Sequence, residues 1–418
     1  MVMTSREVRS GDAWRRDVRT AYRAIVAVQP DSSARTQRVP QQLPPLLIDL
    51  AAGREPDHAE LDARTVKLAN EHRLTGLLWT WARTHLSDVE LKTELAQNDL
   101  FVQAHLVRVW KVLAESAARL AEVGIEVATI KGVTAEARWY GRRGERPCSD
   151  VDLLLSPRQL DRAAEVVRLL EPDHPWVPYV GPLAATGRIQ TVTTHMDGIE
   201  VDLHFDLLKL GIPTRQSTEL WDLTRPYSLP GGGSVRVLDD TIALVHLLVH
   251  LNKDRFQRLL GYADIARVIA AGRVDWERME NFVSGEGIAT STLRTLEVVL
   301  DELMLPWPVG LGPARGPRAR VWDVVWRQGI RLRGTEGRLR FRRRQDWIAF
   351  LARGRVREAL RWWLREMWPP APVVAVRYAD IAGPYLWRLF WGRVSTARAL
   401  RATLATRVRR TREPKKPL

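Results

Sequence analysis

Two aspartates separated by one residue open an apolar run in Ser149-Asp150-Val151-Asp152-Leu153-Leu154-Leu155. Side chains alternate along a strand, so this spacing puts both carboxylates on one face. A third acid, Asp202, stands in Glu200-Val201-Asp202-Leu203-His204, a second strand-like run further along the chain. Three carboxylates on neighbouring strands suit a hard divalent cation, above all Mg²⁺. Two such ions can clamp the attacking and leaving oxygens of a phosphoryl or nucleotidyl transfer. An isolated Asp-x-Asp is weak evidence, being more often a polar strand edge or a helix N-cap. The metal-binding reading draws its weight from the neighbours: the apolar run that follows, the basic loop that precedes it (Arg142, Arg143, Arg146), and the repeated apolar-acid-apolar pattern around Asp202.

Lys131-Gly132 follows a strand-like run and precedes a helical one. A glycine at such a turn lets backbone approach a phosphate closely, and Lys131 would add a point charge for a triphosphate; an ordinary strand-end turn is the competing reading. Arg146 either steadies the metal-binding loop, holds a phosphate oxygen, or is a solvated loop arginine. His204 shares the face of Asp202 and either orients a carboxylate, touches substrate, or is a satisfied half-buried histidine. His195, across a predicted hairpin, could reach the same face. Lys131, Gly132, Arg146, Ser149 and His204 form the candidate nucleotide-binding set. His246 and His250 lie four apart on an apolar helix without the acid of a His-Glu-x-x-His arrangement, which argues against zinc there. Asp264, in Gly261-Tyr262-Ala263-Asp264-Ile265-Ala266, reads as a cap or ion-pair partner, or as an acid facing the cleft. Cys148, the one cysteine, has no His or second Cys nearby in sequence and reads as structural.

These residues need elements to place them. Gly124–Ile130 reads as a strand, Val133–Tyr140 as a helix, and Gly141–Pro147 as a basic loop. Asp150–Leu155 reads as the second strand, and Pro157 opens a helix over about 157–170. Glu171–Gly187, with its Pro and Gly, reads as a loop. Ile189–His195 and Ile199–Phe205 read as strands joined at Met196-Asp197-Gly198, since Asp-Gly favours a tight hairpin. Helical spacing of apolar residues runs from Pro45 to Val123, ending in a long helix at about 95–123, and resumes from Asp239 to about 306. The expected fold class is α+β. The expected organisation is a loose arm over 1–42 with a short helix near Tyr22–Val28, a helical cap over 43–123, a catalytic core over 124–238, a helical bundle over 239–309 and a basic helical region over 310–418.

The chain carries 64 Lys+Arg against 49 Asp+Glu, a net charge of +15 over 418 residues. The excess is local: Gly310–Leu418 holds 27 Lys+Arg and 7 Asp+Glu, leaving the rest slightly acidic. That region reads as a solvated helical surface or as a patch for RNA, a nucleotide-linked acceptor or an anionic membrane surface. Its tryptophans at 322, 326, 347, 362, 363, 368, 387 and 391 have spacings that fit core packing more readily than stacking on bases or membrane. No run of apolar residues is long enough for a transmembrane helix. Charges near the N-terminus interrupt any signal-peptide core, and a single cysteine suits a reducing compartment, so a cytoplasmic location is expected.

The order Ile130-Lys131-Gly132, Arg146-Pro147-Cys148-Ser149-Asp150-Val151-Asp152-Leu153-Leu154, then Val201-Asp202-Leu203-His204 resembles an uncharacterised bacterial nucleotidyltransferase family of the polymerase-β-like superfamily. The segment with His246, His250 and Asp264-Ile265-Ala266, the helical lead-in from Leu43 and the stretch from Trp368-Pro369-Pro370 to Arg377-Tyr378 are similar to it too. The resemblance implies a small mixed sheet flanked by helices. It implies that Asp150 and Asp152 bridge two Mg²⁺ ions. Asp202 would hold the catalytic metal and help deprotonate the acceptor hydroxyl, while Lys131 and Gly132 hold the triphosphate. One departure stands out: Val133 follows Gly132 where the superfamily has a serine, so Lys131 or Thr134 must supply that phosphate contact. The expected function is transfer of a nucleoside monophosphate from an NTP to an unidentified hydroxyl on a small molecule, protein or tRNA. The alternatives are an Asp-x-Asp glycosyltransferase using a sugar nucleotide, which needs neither Asp202 nor Lys131-Gly132, and a non-catalytic nucleotide- or RNA-binding module, which needs no third acid.

Overall fold

Alternation along two short segments builds the centre of the molecule. In strand β2 (Asp150–Leu155), Val151, Leu153 and Leu155 point into one apolar core, while Leu154 points into another. In strand β4 (Ile199–His204), Val201 and Leu203 join the first of these cores, which leaves Glu200, Asp202 and His204 for the opposite face. The sheet therefore separates two hydrophobic layers, and the acids lie on the side of Leu154.

A computed structural model describes residues 43–316 apart from 57–60, 188, 209–213, 215, 231 and 255, with a few isolated positions beyond. The proposed N-terminal arm and its helix near Tyr22–Val28 fall outside the described residues. So does nearly all of the basic region, including the tryptophans at 326, 347, 362, 363, 387 and 391. Among the described residues the fold is α+β: twelve α-helices and one mixed six-stranded sheet ordered β3-β4-β2-β1-β6-β5. The remaining strands are β1 (Val127–Thr129), β3 (Thr191–Met196), β5 (Arg225–Ser228) and β6 (Ser234–Val237). β2 runs parallel to β4 with Asp150 opposite Glu200 and Asp152 opposite Asp202. β1 pairs antiparallel with β2 and parallel with β6.

Helices α1 (Pro45–Ala52), α2 (Ala63–Glu71) and α3 (Thr75–His85) lead into α4 (Val89–Glu122). Asp88 caps α4, its carboxylate accepting from the Glu90 and Leu91 amides, so the helix starts at Val89, ahead of the expected residue 95. Leu106, Val109, Leu113, Ala117 and Leu120 of α4 pack under the Val151/Leu203 face of the sheet. The other face is covered by a core that α1–α3 share with α9 (Asp240–Lys253), α10 (Leu259–Ala270), α11 (Trp276–Gly285) and α12 (Ala289–Glu302). Trp322 packs in this core edge-on to Phe256, at 6.2 Å between ring centroids.

Several local expectations change. The first strand is confined to Val127–Thr129. Pro157 opens a 3₁₀ turn over Pro157–Arg162 before helix α6 (Ala163–Leu170), because Gln159 departs from helical backbone angles. The expected loop over 171–187 contains α7 (Val180–Ala185), whose Gly181 and Pro182 mask it in sequence; burial of Val180, Leu183 and Ala184 holds it. The hairpin β5–β6, preceded by α8 (Ser217–Asp222), was not expected at all. Its signal was the alternation in Ser234-Val235-Arg236-Val237 behind a run of glycines. Pro226 is tolerated in β5 because that strand is at the sheet edge.

Helix α5 (Val133–Trp139) leads into the loop 141–147, which is braced from three sides. The Arg142 guanidinium donates to both oxygens of Asp99 at 3.0 and 2.7 Å, Glu136 accepts from the Gly144 amide, and Glu145 accepts from the Gly141 amide. Gly76, in the first turn of α3, lies directly against this loop: a Cβ there would meet Gly144 O at 1.9 Å and Glu145 Cα at 2.8 Å. Both are backbone atoms and cannot swing aside. Gly76→Ala is expected to destabilise the protein by about 1–3 kcal/mol, overpacking outweighing the better helix propensity of alanine. Urea denaturation checks this; an unchanged midpoint would mean the loop yields at no cost.

Candidate metal and nucleotide site

The β2–β4 register decides the centre of the site. Asp152 is buried; its Oδ1 accepts from Lys131 Nζ at 3.1 Å and lies 2.9 Å from His204 Nε2. Its Oδ2 is enclosed with no hydrogen-bond partner among the described residues. Asp202, less buried, accepts from Thr193 Oγ1 at 2.5 Å. Asp152, Asp202 and His204 each offer a ligand atom, and these atoms lie within 4.8 Å of one another. Two carboxylates, an imidazole and an orphaned buried oxygen fit a divalent cation, since a lone carboxylate oxygen out of water is costly unless something charged meets it.

Asp150, on the same face of β2, is half-buried, and one of its oxygens accepts from Ser149 Oγ at 3.2 Å. It lines the same cavity as Asp152 but is not part of the compact donor cluster; His204 is. The sequence placed His204 on the Asp202 face by its i+2 spacing. Only the pairing of Leu154 with His204 in the parallel register brings its ring to Asp152. Thr193 was not singled out. The tight Asp197-Gly198 turn, with both residues at positive φ, fixes Thr193 opposite Asp202, so counting back from that turn would have found it. The same count puts His195 opposite Glu200; the His195 side chain is exposed and its amide donates to Glu171, away from the cluster.

Charge is balanced tightly here. Burial favours the neutral acid at Asp152, but the Lys131 ammonium and His204 outweigh it and hold the carboxyl below the usual carboxylate range. Burial likewise pushes Lys131 down, yet the charges of Asp152 and Asp150 leave it above its ordinary value. Lys131 also contacts His250 Nε2 at 3.2 Å, and His250 Nδ1 meets Asp254 at 3.1 Å. His246, one turn earlier, donates from Nδ1 to the Leu207 carbonyl at 3.0 Å, and burial holds its imidazole well below the ordinary value. Neither histidine belongs to the metal-capable cluster.

Gly132 adopts φ 67°, ψ −129°, a region closed to side chains with a Cβ, and a Cβ there would point at Asp150 O and Asp152 Oδ2, at 3.6 and 3.9 Å. Of the two residues proposed to replace the missing serine, Lys131 lines the cavity. Thr134 is buried and turned back on the chain, its hydroxyl donating to the Lys131 carbonyl at 3.2 Å.

Arg146 lines the cavity, but its fork is spent on Asp264: Nε and Nη2 each donate at 2.8 Å to a different carboxylate oxygen, and Nη1 lies 3.0 Å from Cys148 Sγ. Tyr140 also donates to Asp264, at 2.7 Å. Burial works against the charge on Arg146, but Asp264 overrides it and holds the guanidinium well above its ordinary range. Burial pushes the Cys148 thiol up to about 12, far from a nucleophile. The arrangement braces Arg146-Pro147-Cys148-Ser149, the segment that delivers Asp150.

The cavity has a volume of about 550 Å³ and runs from Lys131, Gly132, Ser149, Asp150 and Asp152 to the ends of α2, α9 and α10. That is ample for a small ligand of nucleotide size. The fold and the site together define an α+β protein with a metal-capable cluster of two acids and a histidine, of which Asp152 lines a charged cleft. The chain belongs to a family of uncharacterised nucleotidyltransferases, whose model matches residues 59–299. The match takes in the whole cleft and excludes the basic C-terminal region. No curated protein and no solved structure matches the chain. Among the described residues no helix is long and apolar enough to cross a membrane.

Proposed function

We propose that the protein is a Mg²⁺-dependent nucleotidyltransferase that moves a nucleoside monophosphate from an NTP to an acceptor hydroxyl. The observation that carries this reading is Asp152: a buried carboxylate with one oxygen held by Lys131 and His204 and the other unpartnered, facing Asp202 across the β2–β4 pair. Asp150, Asp152 and Asp202 would hold the metal, with His204 orienting Asp152 and Thr193 orienting Asp202. A bound divalent cation supplies charge for the oxygens of the reacting phosphate and for the acceptor oxygen as it loses its proton.

The chain's own groups do the rest. Lys131 gives a point charge to the phosphate chain, and Gly132 lets that chain approach the backbone of the turn. Asp202, the more accessible acid of the cluster, is the one placed to draw the proton from an incoming hydroxyl. Ser149, exposed at the start of β2, offers a hydroxyl at the cavity wall. Arg146 acts through Asp264 by holding the loop rather than by touching substrate. A sugar-nucleotide transferase has no use for Asp202 or for Lys131-Gly132. The basic C-terminal region remains a candidate surface for RNA, a nucleotide-linked acceptor or an anionic membrane.

The test is label transfer from each α-phosphate-labelled nucleoside triphosphate, with Mg²⁺ and a cell lysate as the source of acceptor, read together with pyrophosphate release. Label should move to a lysate component with one nucleotide preferred. No turnover and no binding of any nucleotide, with Mg²⁺ or Mn²⁺, would overturn the enzyme reading in favour of a binding module.

A further inference from the structure

Many of the described arginines pair with a carboxylate, including one that lines the cavity. Arg138 pairs with Asp240, Arg142 with Asp99 and Arg146 with Asp264. Arg73 and Arg258 differ: both line the cavity, and neither guanidinium makes a hydrogen bond or ion pair among the described residues. They are held side by side. The Leu259 amide donates to His72 Nδ1 and the Leu260 amide to the His72 carbonyl, both at 3.3 Å. These two bonds stitch the C-terminus of α2 to the N-terminus of α10, and the arginines are the flanking residues, one after His72 and one before Leu259.

Arg73 also occupies a backbone position that favours glycine. The Arg73 amide donates to Asn70 O and the Leu74 amide to Ala69 O, the paired bonds of a Schellman ending, with Arg73 at φ 59°. A half-buried cation is thus kept in a left-handed conformation beside a like charge. Burial and the charges of Arg258 and Arg146 press its pKa down, and the Asp150 carboxylate offsets them only in part. Strain and like-charge crowding in a cleft point to a ligand of opposite charge.

We propose that Arg73 and Arg258 form a phosphoanion subsite that takes the β- and γ-phosphates of the nucleotide. This rests on the nucleotidyltransferase reading above and adds to it the residues that hold the polyphosphate tail. Two guanidinium forks suit a tetrahedral dianion, where a lysine would offer only a point charge. The turn at Gly132 offers no hydroxyl of its own, because Val133 stands next and Thr134 faces the chain. Beside Lys131, further donors for the tail stand at the α2 and α10 ends of the same cavity. A phosphate carried by the acceptor has the same chemistry and is separated by experiment.

The test is calorimetric titration of the full chain, in Mg²⁺, with inorganic tripolyphosphate and, separately, with glycerol phosphate. Wild type is compared with Arg73→Gln and Arg258→Gln. Each variant is expected to weaken tripolyphosphate about tenfold while glycerol phosphate is unaffected, the loss of one charge-assisted contact. The melting temperature should hold or rise by a degree or two, since the substitutions relieve repulsion. Unchanged tripolyphosphate affinity, or weakening that merely follows a drop in melting temperature, overturns the subsite. Weakening confined to glycerol phosphate also overturns it and moves the pair to the acceptor. The two readings fail separately. If tripolyphosphate follows the arginines but no nucleotide is turned over, the subsite stands and the transferase reading falls. If label transfer proceeds with an unchanged KM for NTP in both variants, the reverse holds.

Discussion

Asp152→Asn is expected to abolish nucleotidyl transfer and to destabilise the protein, whereas Asp202→Ala is expected to abolish transfer alone. The two acids face each other, but their surroundings differ. Asp152 is enclosed and carries the counter-charge for Lys131, whose side chain is itself largely buried. An asparagine there leaves the ammonium without its partner, and breaking a buried pair by removing one side costs about 3–5 kcal/mol. Asp202 is only half-buried and accepts from the Thr193 hydroxyl, so its removal strands no enclosed charge and costs less, about 1 kcal/mol. For the chemistry both should lose about 10³-fold or more, the scale on which groups that stabilise transition-state charge operate. The measurement is kcat/KM for label transfer beside urea unfolding of each variant. Transfer surviving Asp202→Ala would favour a single-metal sugar-nucleotide enzyme. Equal stability losses in the two variants would show that the burial argument is wrong.

The second large effect belongs to Arg146 and Asp264. Arg146→Met leaves the Asp264 carboxylate buried with only the Tyr140 hydroxyl, and Asp264→Asn leaves the guanidinium buried beside Cys148. Each single substitution is expected to cost about 3–5 kcal/mol. The pair Arg146→Met/Asp264→Leu should recover most of that, because the desolvation penalty disappears with both charges. Recovery should fall short by about 1–3 kcal/mol, since the Tyr140 hydroxyl then loses its acceptor. Losses that simply add in the double variant would mean that the pair is not coupled. Transfer should fall in the single variants through kcat more than through KM, because Arg146 acts by delivering Asp150 and its own fork is spent on Asp264. A rise in KM with kcat unchanged would instead mean that Arg146 touches substrate.

Much of this was legible in the chain. The apolar run opened by Asp150 and Asp152 placed β2 to the residue, and the apolar-acid-apolar alternation placed β4 to within one. The Asp197-Gly198 pair announced the β3–β4 hairpin, because few residue pairs accept two consecutive positive φ angles. The helices of the cap and the bundle were visible in their apolar spacing. The β5–β6 hairpin was not, because an edge strand with a proline carries little alternation. Helix α7 was not, because tertiary packing holds Gly181 and Pro182 in a helix that propensity disfavours.

Residue types and spacing alone determined that this protein carries acids on a shared strand face, a Lys-Gly turn beside them, and an α+β scaffold to hold both. Those are local facts, set by side-chain periodicity and backbone preference. The tertiary structure decided the rest. The parallel β2–β4 register made His204 a partner of Asp152. Burial turned Arg146 from a candidate phosphate ligand into one half of a closed ion pair. Two amide hydrogen bonds to His72, one to its ring and one to its carbonyl, set Arg73 beside Arg258 across a long stretch of chain. Such partnerships depend on which surfaces meet when the two cores close, and no spacing along a single segment encodes them.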